Sequence, residues 1–262
     1  MPAAPTVIVI TGASSGIGAA LACHYAAPGR LLVLNARGAD RLETVAAACR
    51  AKGADVEATP LDVRDRAAMR DWVADIDGRR GIDLAIANAG VNGGHPDGGV
   101  ETEATAFAVL DVNLMGALNL ALPCATRMEG RGRGQIALIS SLAAIAPLPD
   151  APAYSGTKAA LLAHGLALRE KLAPRGVRIN VVCPGYVRTA MGGDYQGWRP
   201  LEMSAEAAAR RIARGLARDE GTIAFPAALA AAARGAALLP ERLRRLGMRG
   251  FSFRMRATQQ PS

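Results

Sequence analysis

Cysteine, histidine and aromatic residues are scarce in this sequence, and each shortage removes a class of function. The four cysteines, Cys23, Cys49, Cys124 and Cys183, are scattered, with no C-x-x-C pair and no histidine at ligand spacing. Neither a metal site nor a disulfide framework is indicated, and buried free thiols in a reducing, cytoplasmic compartment are the expectation. Aromatics are 4% of the chain, too few for a base-stacking platform. The late apolar stretch at 223–233 is interrupted by Pro226 and falls far short of the roughly 20 residues that span a bilayer, so no transmembrane helix is expected. The opening residues MPAAPTVIVITG have no basic segment before their apolar run and do not read as a signal peptide.

Acidic residues are also in deficit, 23 against 31 Lys and Arg, for a formal net charge of +8. The imbalance is local. Arg234, Arg242, Arg244, Arg245, Arg249, Arg254 and Arg256, opposed only by Glu241, carry most of it, and the first 233 residues are nearly balanced. An extended basic face is therefore not indicated, and nucleic acid is not an expected partner. Any basic function belongs to residues 234–262, and here an apolar segment at 225–240 (FPAALAAAARGAALLP) runs into a basic one at 241–256 (ERLRRLGMRGFSFRMR). That order suits docking on another subunit, with peripheral membrane contact as the alternative reading.

What is abundant is aliphatic surface and glycine. Half of the 262 residues are apolar, enough for a full core, and the 29 glycines follow no three-residue period, so they serve particular turns. Strand-like runs alternate with helical patterns: TVIVIT (6–11), LLVLNA (31–36), VEATPLD (56–62), DLAIANAG (83–90), QIALISS (135–141), RINVVCPG (178–185) and a short run at 222–225. The intervening helical patterns include 39–51, 65–76, 105–128 and 153–172. This alternation predicts an α/β fold: a single-domain, Rossmann-type, doubly wound parallel sheet of about seven strands with helices on both faces. No internal repeat divides it. The expected organisation is a catalytic domain over 1–233, with a substrate lid near 190–218, followed by the basic extension 234–262.

The first strand runs directly into Thr11-Gly-Ala-Ser-Ser-Gly-Ile-Gly18 and then a helix. Glycines there let the chain turn tightly and let a pyrophosphate approach the free N–H groups of the helix N-terminus. The second strand ends in Asn35-Ala36-Arg37, where an acidic residue would hold a ribose diol. With no carboxylate and one guanidinium, the stretch favours a 2′-phosphate, hence NADP over NAD, unless Arg37 is merely solvated. Asp62, at the end of the third strand, could hydrogen-bond adenine or cap the helix beginning near Asp65. Tyr154 and Lys158 are four residues apart in a helical pattern and share a face. An ammonium beside a phenol favours the phenolate, which suits proton transfer. Ser141, ending the fifth strand, brings a hydroxyl to the same sheet edge, where it could hold a carbonyl oxygen.

In order and spacing, TGASSGIG (11–18), NAG (88–90), the asparagine of VNLMG (112–116), ISS (139–141), YSGTK (154–158) and PGYVRT (184–189) resemble the short-chain dehydrogenase/reductase family over nearly the whole chain. The resemblance implies an NAD(P)-dependent oxidoreductase acting on a carbonyl or alcohol. In that reading Tyr154 exchanges the proton, Lys158 lowers its pKa and holds the nicotinamide ribose, Ser141 polarises the carbonyl, and Asn113 supports a water linked to the lysine. Gly12, Ser14, Ser15, Ile17 and Gly18 line the pyrophosphate turn, Arg37 reads the adenosine phosphate, and Asp62 and Val63 flank adenine, with Asn88, Ala89 and Gly90 beside it. Pro184, Gly185, Val187 and Thr189 meet the nicotinamide side. Spacing to Tyr154 selects Ser141 over Ser140, which is read as structural, and His24, His95 and His164 match no catalytic position. A homodimer or homotetramer is implied as well. Leu142, Ala143, Pro149, Tyr186, Met191 and Trp198, near the expected cleft, favour a lipophilic substrate. The competing reading is a cofactor-binding scaffold or redox sensor with little turnover.

Overall fold

The computed structural model describes residues 4–95, 98–189, 195–196, 198–240, 242 and 254–255. Its centre is a seven-stranded parallel sheet. The strands are β1 (Val7–Thr11), β2 (Leu31–Ala36), β3 (Asp55–Pro60), β4 (Leu84–Ala87), β5 (Gly134–Ile139), β6 (Val177–Pro184) and, after three two-residue strands, β10 (Thr222–Phe225). They lie in the order β10-β6-β5-β4-β1-β2-β3. The small strands are β7 (Val187–Arg188), parallel to β9 (Met203–Ser204), and β8 (Tyr195–Gln196), antiparallel to β11 (Arg254–Met255) in the arginine-rich extension. The expected strands are all present, and the doubly wound architecture is the one the alternation predicts.

Alternation within the strands explains why both faces are covered. Successive side chains of a strand point to opposite faces. Ile8 and Ile10 of β1 join one buried cluster with Leu21 and Tyr25 of α1 (Gly16–Tyr25), Leu42 and Ala46 of α2 (Ala39–Arg50), and Ile212 and Leu216 of α7 (Ala205–Ala217). Val7 and Val9 join the opposite cluster with Met69 and Val73 of α3 (Arg66–Arg80), Leu120 and Cys124 of α5 (Gly116–Arg131), and Leu161 of α6 (Pro152–Leu172). A strand buried on both sides cannot slip by one residue without exchanging its two cores.

The helical region expected over 105–128 is two helices, α4 (Glu103–Leu110) and α5, joined by a π-turn at Asp111–Met115 that contains Asn113. Together they make the one helical run among the described residues that is long and apolar enough to cross a membrane by length and composition. Much of that apolarity faces the sheet, through Ala117, Leu120, Ala121, Cys124 and Met128. The last described helix, α8 (Ala227–Ala237), packs beside β10 and joins Val181 and Cys183 of β6 in a small buried cluster through Ala230 and Leu229. Sheet order reverses between β1 and β4, and in open parallel sheets that switch point opens a crevice outside the strand ends.

Candidate active site

A cavity of about 550 Å³ opens at this switch point. Its walls contain Gly12, Ser14, Ser15, Ile17, Arg37, Asp62, Val63, Asn88, Ala89, Gly90, Ser141, Tyr154, Lys158, Pro184, Gly185, Val187 and Thr189. The fold thus brings together residues that lie up to 177 positions apart in the chain, and two of the expected site residues stand behind the wall instead of on it. Gly18 is buried at the start of α1, where an added Cβ would lie 2.2 Å from the Gly12 carbonyl oxygen. Its contribution is therefore close packing of the turn. Asn113 is fully buried. Its amide is occupied at both ends by Val91, accepting the backbone N–H at 2.7 Å and donating to the carbonyl at 2.9 Å.

The glycine turn fits a dinucleotide phosphate. Gly12 has φ +65°, and an added Cβ would stand 2.7 Å from the Ala89 backbone. The N-cap of α1, Ser15, makes no side-chain cap hydrogen bond, so the helix's first N–H groups are not occupied by its own cap. By contrast α3, α4 and α7 are capped by Asp65, Thr102 and Ser204. The helix-capping reading of Asp62 does not hold. Asp65 caps the helix, and Asp62 faces the cavity, where the Arg64 guanidinium holds its carboxyl below the usual carboxylate range. Asn88 ties β4 to the turn, donating to the Thr11 and Gly12 carbonyls at 3.0 and 3.1 Å.

At the end of β2, Arg37 is joined by Arg41 from the first turn of α2, and both are exposed on the cavity rim. Neither is ion-paired among the described residues. Arg41 was not legible as a site residue, although its spacing of four from Arg37 is the available signal.

Tyr154 and Lys158 leave α6 one turn apart, with the ammonium 5.5 Å from the centre of the phenol ring. Lys158 is buried and donates to the Ile139 carbonyl at 2.9 Å, and burial pushes its pKa down to about 8. Tyr154 and Ser141 both line the cavity. Burial raises the Tyr154 phenol above its ordinary value, and the nearby Ser141 hydroxyl opposes that rise without outweighing it. The lowering attributed to Lys158 therefore does not prevail in the chain alone. Ser141 also accepts the Ala143 N–H at 3.1 Å. Ser140, as expected, is structural: it is buried and donates to the Lys158 carbonyl at 2.7 Å.

Opposite the phenol the wall is apolar. Leu142, Ala143 and Tyr186 line it as expected, whereas Pro149 and Trp198 do not, and Met191 lies outside the described residues. Leu148, together with Leu229, Ala232, Ala233 and Ala236 of α8, and then Leu239, takes their place. Arg199 also lines the wall, with its charge matched by Glu202 at 3.1 Å, while Arg188 is exposed. Among the described residues no cluster of three or more His, Cys, Asp or Glu could hold a metal ion.

The family model described as short chain dehydrogenase matches residues 6–200. A protein of Streptomyces virginiae, designated as a ketoacyl reductase of the monensin polyketide synthase, is 37% identical over 71% of this chain and 72% of its own. A short-chain dehydrogenase from Sphingobium yanoikuyae, solved in complex with NADPH, is 29% identical, covers 98% of each chain and superposes with a TM-score of 0.76. An NAD+-bound xylitol dehydrogenase is likewise 29% identical, over 70% of this chain and 71% of its own, with a TM-score of 0.66.

Proposed function

The chain belongs to the short-chain dehydrogenase/reductase family, and from that premise we propose that it is an NADP(H)-dependent reductase of lipophilic ketones or aldehydes with Tyr154 as the proton donor. The observation that carries this reading is the convergence of Tyr154, Ser141 and Lys158 on one cavity, with the buried ammonium 5.5 Å from the centre of the phenol ring. The nicotinamide, when bound, supplies the hydride. Ser141 orients the carbonyl oxygen by hydrogen bonding and stabilises the charge that develops there. Tyr154 gives that oxygen its proton, and the Lys158 ammonium stabilises the phenolate left behind. A phenol raised by burial is protonated near neutrality, which is the form that reduction consumes. Asn113 acts from behind the wall, holding Val91 in place.

The preference for NADP rests on the two guanidiniums of Arg37 and Arg41 and on the lack of a carboxylate at the end of β2. The apolar wall and the neutralised Arg199 support a lipophilic substrate. A homodimer or homotetramer is part of the proposal, supported by exposed Phe107, Met115 and Leu122 on α4, the π-turn and α5, and Leu166 on α6. Peripheral membrane contact by the extension has no supporting observation among the described residues.

NADPH consumption with a panel of aliphatic and aromatic ketones tests the reaction. Tyr154→Phe keeps the ring and removes the proton, so kcat falls by about 10² to 10⁴ while NADPH still binds. Undiminished turnover would remove the mechanism. Arg37→Ala should weaken NADPH binding by roughly tenfold or more and leave NADH nearly unaffected, as a charge-assisted contact of ~1.5–3 kcal/mol requires. Equal loss with both cofactors would show that Arg37 does not read the phosphate.

A further inference from the structure

Glu101 belongs to none of the motifs above and does not line the cavity, yet its carboxylate joins the two segments that frame the phenol. One oxygen accepts the Gly94 N–H at 2.5 Å and the other accepts the Ala153 N–H at 2.8 Å. Ala153 is the second residue of α6 and immediately precedes Tyr154. The first turn of a helix leaves its backbone N–H groups without intrahelical partners. In α6 the N-cap is Ala151, which has no polar side chain, and the first residue is Pro152, which has no N–H. Glu101 supplies from a distant loop the acceptor that the local sequence lacks, and a carboxylate there also meets the positive end of the helix dipole.

On its other side the carboxylate holds the loop after β4, the one that carries the cavity residues Asn88 to Asn92. Contact is tight. A Cβ added to Gly93 would stand 2.5 Å from the Glu101 oxygen and 3.4 Å from both the backbone nitrogen and the Cβ of Tyr154. The front of this loop is pinned separately, by Asn113 on Val91. Loop and helix start are therefore one clamped unit, with the phenol of Tyr154 projecting from its seam.

Resting on the reductase reading above, we propose that Glu101 is a positioning residue for proton transfer by Tyr154. It locks the first turn of α6 to the 91–95 loop and so sets where the phenol stands relative to Ser141. Displacement of a reacting group by as little as ~1 Å can cost about 10²-fold in rate.

The test uses the full chain with Glu101→Ala and Glu101→Gln, the latter keeping the shape and one acceptor oxygen. Amide hydrogen exchange is followed in peptides covering 91–95 and 152–156, and kcat, KM and the NADPH dissociation constant are measured with 2-octanone as the probe ketone. In Glu101→Ala exchange should rise in both peptides and kcat should fall by about 10- to 100-fold. KM and NADPH affinity should stay within about threefold, and Glu101→Gln should lie between the two proteins in both readouts. Unchanged exchange would overturn the clamp. Faster exchange with unchanged kcat would reduce it to a fold-stabilising contact and overturn the positioning role, as would a loss confined to NADPH affinity. Tyr154→Phe is the control for the underlying reading. If that variant is as active as wild type the reductase assignment fails, whereas an inactive Tyr154→Phe beside a fully active Glu101→Ala sinks this inference alone.

Discussion

Lys158 shows how much a single buried side chain can be made to carry. Its ammonium sits in the core with one fixed acceptor, the Ile139 carbonyl, and burial brings its pKa from 10.5 down to about 8. A cation whose pKa is lowered on folding opposes folding wherever it is charged. Below pH 8 the full cost is present, at ~3 kcal/mol for a shift of this size, and it is relieved as pH rises from 8 towards 10.5. Lys158→Met should therefore be catalytically crippled yet more stable than wild type at pH 7, even after about 1 kcal/mol is deducted for the lost hydrogen bond. The advantage should shrink as pH climbs past 8. Urea denaturation of both cofactor-free proteins from pH 6 to 10 measures this, and a difference independent of pH would mean that the lysine folds with its ordinary pKa.

Among the elements, β5, β6 and α6 are joined by a buried polar network that helical or strand periodicity does not announce. Gln135 donates to the Asn180 side chain at 2.7 Å and to the Leu216 carbonyl at 2.9 Å. Asn180 in turn donates to Asp219 and to the Glu220 carbonyl, and Arg169 grips both oxygens of Asp219 at 2.7 and 2.9 Å. Burial acts to raise the Asp219 carboxyl, but hydrogen bonding to Arg169 and Asn180 outweighs it and holds the carboxyl below its ordinary range. Asn180→Leu fits the volume and strands Gln135, Asp219 and a carbonyl without their partner. It should cost about 2–4 kcal/mol, read as a lower denaturation midpoint. A change under ~0.5 kcal/mol would show that the network is replaceable by packing alone. At the same scale, the π-turn at Asp111–Met115 was hidden inside what reads as one apolar helical run, because a one-residue widening barely alters side-chain periodicity.

Across the whole molecule, the apolar side chains left in solvent gather on α4, the π-turn, α5 and α6. Phe107 is 58% exposed, Met115 45%, Leu122 43% and Leu166 41%. The proposed oligomer accounts for this surface. Phe107→Glu combined with Leu166→Glu should reduce the assembly to a smaller species in sedimentation velocity, with the monomer fold intact by circular dichroism. An unchanged sedimentation coefficient would place the interface elsewhere.

The sequence by itself determined the sheet, the order of its elements, the glycine turn and the alignment of Ser141, Tyr154 and Lys158. All of these depend on side-chain periodicity or on spacing along a few neighbouring residues. Tertiary structure alone decided that Gly18 and Asn113 support the cavity from behind, that Asp65 rather than Asp62 caps α3, and that α8 supplies the apolar wall. It alone brought Glu101 to the start of α6, 52 residues further on. Gly18 and α8 take those roles through which segments pack against one another, and Asn113 and Glu101 through which distant backbone N–H groups lack a nearby acceptor; neither is set by local periodicity.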